Sequence, residues 1–149
     1  PTNLYGPNDN YDLENSHVLP ALIRKFYEAK KGDLPFVEIW GSGSPKREFM
    51  HVDDLASACV FLMKNYDKKE FVNIGWGEDV SIKELAMKIK KISGYNGELK
   101  FDPTKPDGTP RKLMDVGRLK SAGYLPSITL DEGLQMVYKD FENNYAALI

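Results

Sequence analysis

Short runs rich in β-branched and aromatic residues alternate along this chain with longer stretches whose apolar residues recur every three to four positions. That alternation limits the fold more than any other feature. Val37 to Trp40, Arg47 to Val52, Phe71 to Gly75 and Glu98 to Phe101 have strand character. Leu19, Leu22, Ile23, Phe26 and Tyr27 mark a helix face, and Pro20 belongs in its first turn, so His17 falls at or just before the helix start. A second helix opens at Asp53-Asp54 and carries Leu55, Cys59, Leu62, Met63 and Tyr66 on one face, which predicts a core position for Cys59. Ser81 with Glu84, and Thr129 with Glu132, are capping boxes. The first precedes Ile82, Leu85, Ile89 and Ile92, and the second precedes Leu130, Leu134, Val137, Phe141 and Tyr145. Strands alternating with helices in this order predict an α/β protein.

The punctuation is equally specific. Tyr5 to Asn10 is turn chemistry, Gly41-Ser42-Gly43-Ser44-Pro45 is a glycine-rich turn, and Asp102 to Lys112 is a loop with three prolines. Gly32-Asp33 ends the first helix and Gly94 the third. No G-x-G-x-x-G opens a helix, and the sequence holds no P-loop, G-x-S-x-G elbow or H-E-x-x-H motif.

Composition removes several classes of function. A length of 149 residues suits one domain with its own core, and a net charge of -2 without a basic stripe argues against nucleic acid as a partner. A single cysteine allows no internal disulfide, no Cys/His spacing fits a metal, and a reducing cytoplasmic setting is expected. The longest apolar run, Ala56 to Met63, falls well short of the roughly 20 residues that span a membrane, so no membrane partner is expected. A first residue that is proline is read as the start of a processed or truncated piece.

Pro1-Thr2-Asn3-Leu4-Tyr5-Gly6-Pro7, then Arg47-Glu48-Phe49-Met50-His51-Val52-Asp53-Asp54-Leu55-Ala56, then Asn73-Ile74-Gly75 resemble the extended short-chain dehydrogenase/reductases that act on nucleotide sugars. Asn15 to Ile23 and Lys105 to Asp115 narrow the likeness to the GDP-L-fucose synthases, and it runs from the first residue nearly to the last. The resemblance implies an NADP(H)-dependent enzyme that epimerises GDP-4-keto-6-deoxy-D-mannose at carbons 3 and 5 and reduces the ketone at carbon 4. It also implies the C-terminal part of a Rossmann-like doubly wound sheet, interleaved with a small α/β substrate-binding domain. Residues 1–12 and 48–78 would complete the cofactor domain, and 13–47 and 79–149 would bind the GDP-sugar. The glycine-rich loop, the reductase Ser, Tyr and Lys, and a cysteine base are expected upstream, so the chain alone is expected to be inactive. A homodimer is expected of the full-length protein.

Site residues follow from the same likeness. His17 matches the general acid of the epimerisation; moving a proton at carbon beside a ketone needs a placed donor, and imidazole titrates near neutrality. A polar loop histidine is otherwise solvated or capping. Pro1, Thr2, Asn3 and Leu4, read as leaving a sheet strand, match the turn at the nicotinamide end, with His17 beside it. Lys25, Arg47 and Lys112 match cations around the diphosphate, although neighbouring Arg24 competes with Lys25 for that role. Trp40 is a nucleotide wall or a core tryptophan. Asp107 accepts from guanine or ribose, or forms an Asx turn at the Pro-Asp-Gly bend. His51 reads as structural. The rivals are another nucleotide-sugar epimerase or reductase, a stand-alone GDP-sugar-binding module, and a purely structural domain.

Overall fold

The computed structural model describes residues 1–147. Strand β1 (Asn3–Tyr5) is followed by helix α1 (Val18–Lys31), strands β2 (Phe36–Trp40), β3 (Lys46–Arg47) and β4 (Phe49–His51), and helix α2 (Val52–Asn65). Strand β5 (Val80–Ser81), helix α3 (Ile82–Ser93), strands β6 (Glu98–Asp102) and β7 (Arg111–Lys112), and helices α4 (Gly117–Ser121) and α5 (Leu130–Asn144) complete the order. Two parallel pairs form, β1 with β4 and β2 with β6, together with a mixed sheet ordered β5-β3-β7. The architecture is therefore α/β with parallel strands.

Local chemistry places the helix ends. Ser81 and Thr129 each accept from the backbone N–H three residues on, and Glu84 and Glu132 return the bond, so both capping boxes are complete. Gly94 ends α3 at φ 69°, a left-handed conformation that glycine adopts without steric cost. His51 caps α2, its Nδ1 accepting from the Asp53 N–H at 3.3 Å, and the ring is wholly buried.

Helices α1, α3 and α5 cover β2 and β6 through Leu19, Ile23, Phe26, Leu85, Ile89, Leu134, Val137 and Phe141, which meet Val37 and Ile39. A second cluster gathers Met50, Ala58, Val116, Leu119 and Tyr124, with Leu4, Phe61 and Ile74 packed against it.

Four expectations are corrected. Cys59 is exposed, and Met63 is 85% exposed, because α2 turns Asp54 and Ala58 inward instead. Apolar residues lie on more than one face of α2; the small Ala58 side chain and the hydrogen-bonding needs of the Ser127 loop select the buried one. Phe71 to Gly75 is not a strand: the Phe71 carbonyl accepts from the Arg118 guanidinium, Asn73 Nδ2 donates to the Asp115 carbonyl, and Thr2 N–H to the Ile74 carbonyl is an isolated backbone bond. The run from Arg47 to Val52 divides into β3 and β4, in different sheets, because Glu48 between them turns inward. Finally, Asn3 and Leu4 lie within a strand, β1, rather than beyond the end of one.

Candidate functional site

A cavity of about 250 Å³ opens where the start of α1, the end of β2 and the start of α3 converge. Ser16, Val18 and Leu22 supply one side, and Ile39, Trp40 and Ile82 the other, with Lys25 and Glu14 at its polar edge. Alternation along β2 explains the wall: Val37 and Ile39 turn into the core, so Trp40 turns outward and is 49% exposed. Trp40 is therefore not a core tryptophan.

Lys25 lies on the same side of α1, its Nζ 3.0 Å from the Glu38 carbonyl oxygen and 5.1 Å from the Trp40 ring centroid. Arg24 is committed elsewhere, its Nε 2.7 Å from Glu28 Oε1 and its Nη1 3.2 Å from the Tyr11 carbonyl oxygen. The structure thus brings Lys25, not Arg24, to the cavity. Burial pushes the Lys25 ammonium below the ordinary lysine value, and the nearby Glu38 carboxylate opposes that shift only in part. A partly desolvated ammonium held only by a carbonyl is suited to an incoming anion. The Ser16 hydroxyl, buried without a partner among the described residues, is a further polar group on the cavity wall.

His17 is the N-cap of α1, with extended backbone at φ -70° and ψ 161°. Its side chain makes no cap hydrogen bond and is exposed. Its neighbours Ser16 and Val18 line the cavity, whereas the imidazole stands outside the wall.

Arg47 and Lys112 are Cα partners in the parallel β3–β7 pair, so two cations distant in sequence sit side by side. Arg47 lines a second cavity, of about 240 Å³, whose floor includes Trp76 and Asp79. Asp79 is ion-paired with Arg111, which holds its carboxyl below the usual range. Lys25 and Arg47 therefore face separate cavities.

Asp107 has both oxygens engaged. Oδ1 accepts from the Ser42 N–H at 2.6 Å and Oδ2 from the Ser42 hydroxyl at 2.8 Å. It fastens the proline-rich loop to the glycine turn. Gly41, at φ 78°, is required there, because a Cβ would collide with Asp107 Oδ1.

Pro1 to Leu4 wall neither cavity. The Thr2 hydroxyl and Asn3 Nδ2 both donate to the Glu48 carbonyl, at 3.2 and 2.8 Å. Among the described residues no cluster of three His, Cys, Asp or Glu side chains could hold a metal. No helix among them is long and apolar enough to cross a membrane.

Glu48 was not singled out by sequence reasoning. Wholly buried, it accepts from the Gly77 N–H at 2.7 Å and the Met114 N–H at 3.0 Å, so its carboxylate joins the Gly75–Gly77 turn to the segment before α4, while its backbone carbonyl takes the two β1-side donors. The only signal was its position just before the apolar pair Phe49-Met50. Asp54 likewise read only as first-turn charge.

Comparison with known proteins gives consistent results. Residues 1–75 match the model of the NAD dependent epimerase/dehydratase family. A protein named putative GDP-L-fucose synthase 2, from Arabidopsis thaliana, is 58% identical over 144 residues, covering 97% of this chain and 44% of its own length. GDP-L-fucose synthase of Escherichia coli is 48% identical over 153 residues, covering 97% of this chain and 48% of its own. A GDP-L-fucose synthetase structure from Naegleria fowleri, bound to NADP, matches with a TM-score of 0.89 at 30% identity, covering 96% of this chain and 45% of that one. The chain spans about half the length of the curated relatives it matches.

Proposed function

The chain belongs to the NAD dependent epimerase/dehydratase family, and from that premise we propose that it is the substrate-binding portion of an NADP(H)-dependent GDP-L-fucose synthase. The whole enzyme would convert GDP-4-keto-6-deoxy-D-mannose to GDP-L-fucose by epimerisation at carbons 3 and 5 and reduction at carbon 4. The observation that carries this reading is the cavity beside the His17-capped end of α1, with an aromatic wall from Trp40 and an underused ammonium from Lys25. An indole face suits a purine and a partly desolvated lysine suits the phosphate attached to it.

On this reading the base lies against Trp40 and Lys25 meets the diphosphate. The sugar is directed toward His17, which donates a proton to the carbon being inverted. Arg47 and Lys112, paired on β3 and β7, form a second cationic site for the same substrate. Residues 13–47 and 79–149 make the sugar-nucleotide domain, and 1–12 and 48–78 belong with the cofactor domain, with Pro1 to Leu4 and His17 toward the nicotinamide. We place the chain in the C-terminal part of that enzyme on the order in which its motifs occur, and propose a cytoplasmic homodimer from its likeness to the GDP-L-fucose synthases alone.

Competitive titration of the chain with GDP, UDP and dTDP tests the reading. GDP is expected to bind at least about tenfold more tightly than either pyrimidine nucleotide. Equal affinities would favour another nucleotide-sugar enzyme of the family, and absence of binding to all three would remove the substrate assignment.

A further inference from the structure

We propose that Lys105 is a second phosphate-binding residue of the Trp40 cavity, acting with Lys25 on the diphosphate of a nucleoside diphosphate-sugar; this rests on the nucleotide-binding reading above. Strands β2 and β6 run parallel and in register, so Trp40 and Asp102 end them side by side. The chain turns immediately after Asp102. The Lys105 N–H donates to the Asp102 carbonyl at 3.2 Å, and the Thr104 N–H and hydroxyl donate to Asp102 Oδ1 at 3.0 and 2.6 Å. With proline second in this Asp-Pro-Thr-Lys turn, the backbone is preset to fold back. It returns Lys105 over the last residue of the neighbouring strand, its Nζ 5.1 Å from the Trp40 ring centroid.

Lys25 reaches the same indole from α1 at the same 5.1 Å. Both ammonium groups thus lie within cation–π reach of one indole. Among the described residues neither lysine has a carboxylate within ion-pair distance. An anion carrying more than one charge beside an aromatic ring satisfies both, and a nucleoside diphosphate has that form. The loop is also held in place for the task. Asp107, two residues beyond Lys105, is fastened to the Ser42 N–H and hydroxyl just after Trp40. Asp107 is thus a positioning residue, its own oxygens being engaged by the scaffold, and Lys105 is the group it presents.

Calorimetric titration of the chain with GDP and with guanosine separates the roles. Lys105→Gln is expected to weaken GDP about fivefold and to flatten its salt dependence. Guanosine, which has no phosphate, is expected to change by less than about twofold. GDP affinity unchanged in the variant, with the parent chain binding GDP, overturns the proposal alone. Equal losses for GDP and guanosine also overturn it, since Lys105 would then act through Trp40 packing. A parent chain that does not bind GDP overturns both this proposal and the nucleotide reading. Asp107→Ala is expected to weaken GDP in the parent but to add nothing in the Lys105→Gln background, and additive losses would overturn its positioning role.

Discussion

The Asp54 carboxylate grips Ser127 across 73 residues of sequence: Oδ1 lies 3.0 Å from both the Ser127 N–H nitrogen and its hydroxyl. Oδ2 also accepts from the Ile128 N–H at 2.8 Å, and the Asp54 carbonyl takes the Tyr124 hydroxyl at 2.8 Å. The loop entering α5 is therefore moored on the first turn of α2. Asp54→Ala leaves the Ser127 N–H and hydroxyl and the Ile128 N–H without an acceptor, though not the Tyr124 hydroxyl, and is expected to destabilise the chain by about 3 kcal/mol. Asp54→Asn, which keeps one acceptor, should lose about half as much. Urea unfolding of the two variants beside the parent measures both.

Glu48→Gln replaces one accepting oxygen with an amide nitrogen that faces an N–H donor, either that of Gly77 or that of Met114. The expected destabilisation is about 2 kcal/mol. Amide hydrogen exchange checks its origin: protection at Gly77 and Met114 should fall together, while α3 and α5 keep theirs.

Alkaline pH should weaken the fold through buried tyrosines. Burial pushes the Tyr138 hydroxyl up to about 12 and pushes Tyr5 and Tyr11 up as well. An unfolded tyrosine releases its proton near 10, so above that pH the native state binds more protons than the unfolded one and stability falls. The stability is fully present below about pH 10 and is lost as pH climbs toward the native value. Among the described residues the Tyr138 hydroxyl has no hydrogen-bond partner, so Tyr138→Phe should leave neutral-pH stability nearly unchanged and reduce the alkaline decline. Urea midpoints at about pH 8 and about pH 11 make the comparison.

His17→Asn separates fold from chemistry. His17 makes no cap hydrogen bond, whereas asparagine is among the best N-caps, so the variant should be as stable as the parent or up to about 1 kcal/mol more stable. If His17 supplies the proton for epimerisation, the same change in the whole enzyme should slow it by roughly 100-fold or more. Solvent deuterium entering the sugar at carbons 3 and 5 reports that step directly.

What could be read from sequence was local. The Ser81 and Thr129 capping boxes involve residues three apart, and both helix starts follow from them. The sequence left Trp40 open between a nucleotide wall and the core, and the alternation that buries Val37 and Ile39 in β2 decides it. The preference for Lys25 over Arg24 depends on Glu28, four residues along the same helix, which pairs with Arg24. The buried face of α2 was hidden because apolar residues surround that helix. Glu48 and Asp54 were hidden for a different reason: their partners lie 66 and 73 residues away, and no short-range pattern marks a carboxylate destined for burial. Lys105 gave no signal as a neighbour of Trp40 until the β2–β6 register and the turn after Asp102 set it over that ring.

The mixed sheet has a consequence for the order of assembly. Strand β3 takes one neighbour from Val80–Ser81 and the other from Arg111–Lys112, so its pairing spans sequence separations far longer than any helix requires. During synthesis, α1 can coil as soon as it emerges, but β3 must wait, and the Glu48 carboxylate waits with it until Met114 has been made. Loop closure over such separations is slow compared with helix formation. The junction that sets Arg47 beside Lys112 therefore closes late relative to α1, and the cationic pair comes into being only after Lys112 has left the ribosome.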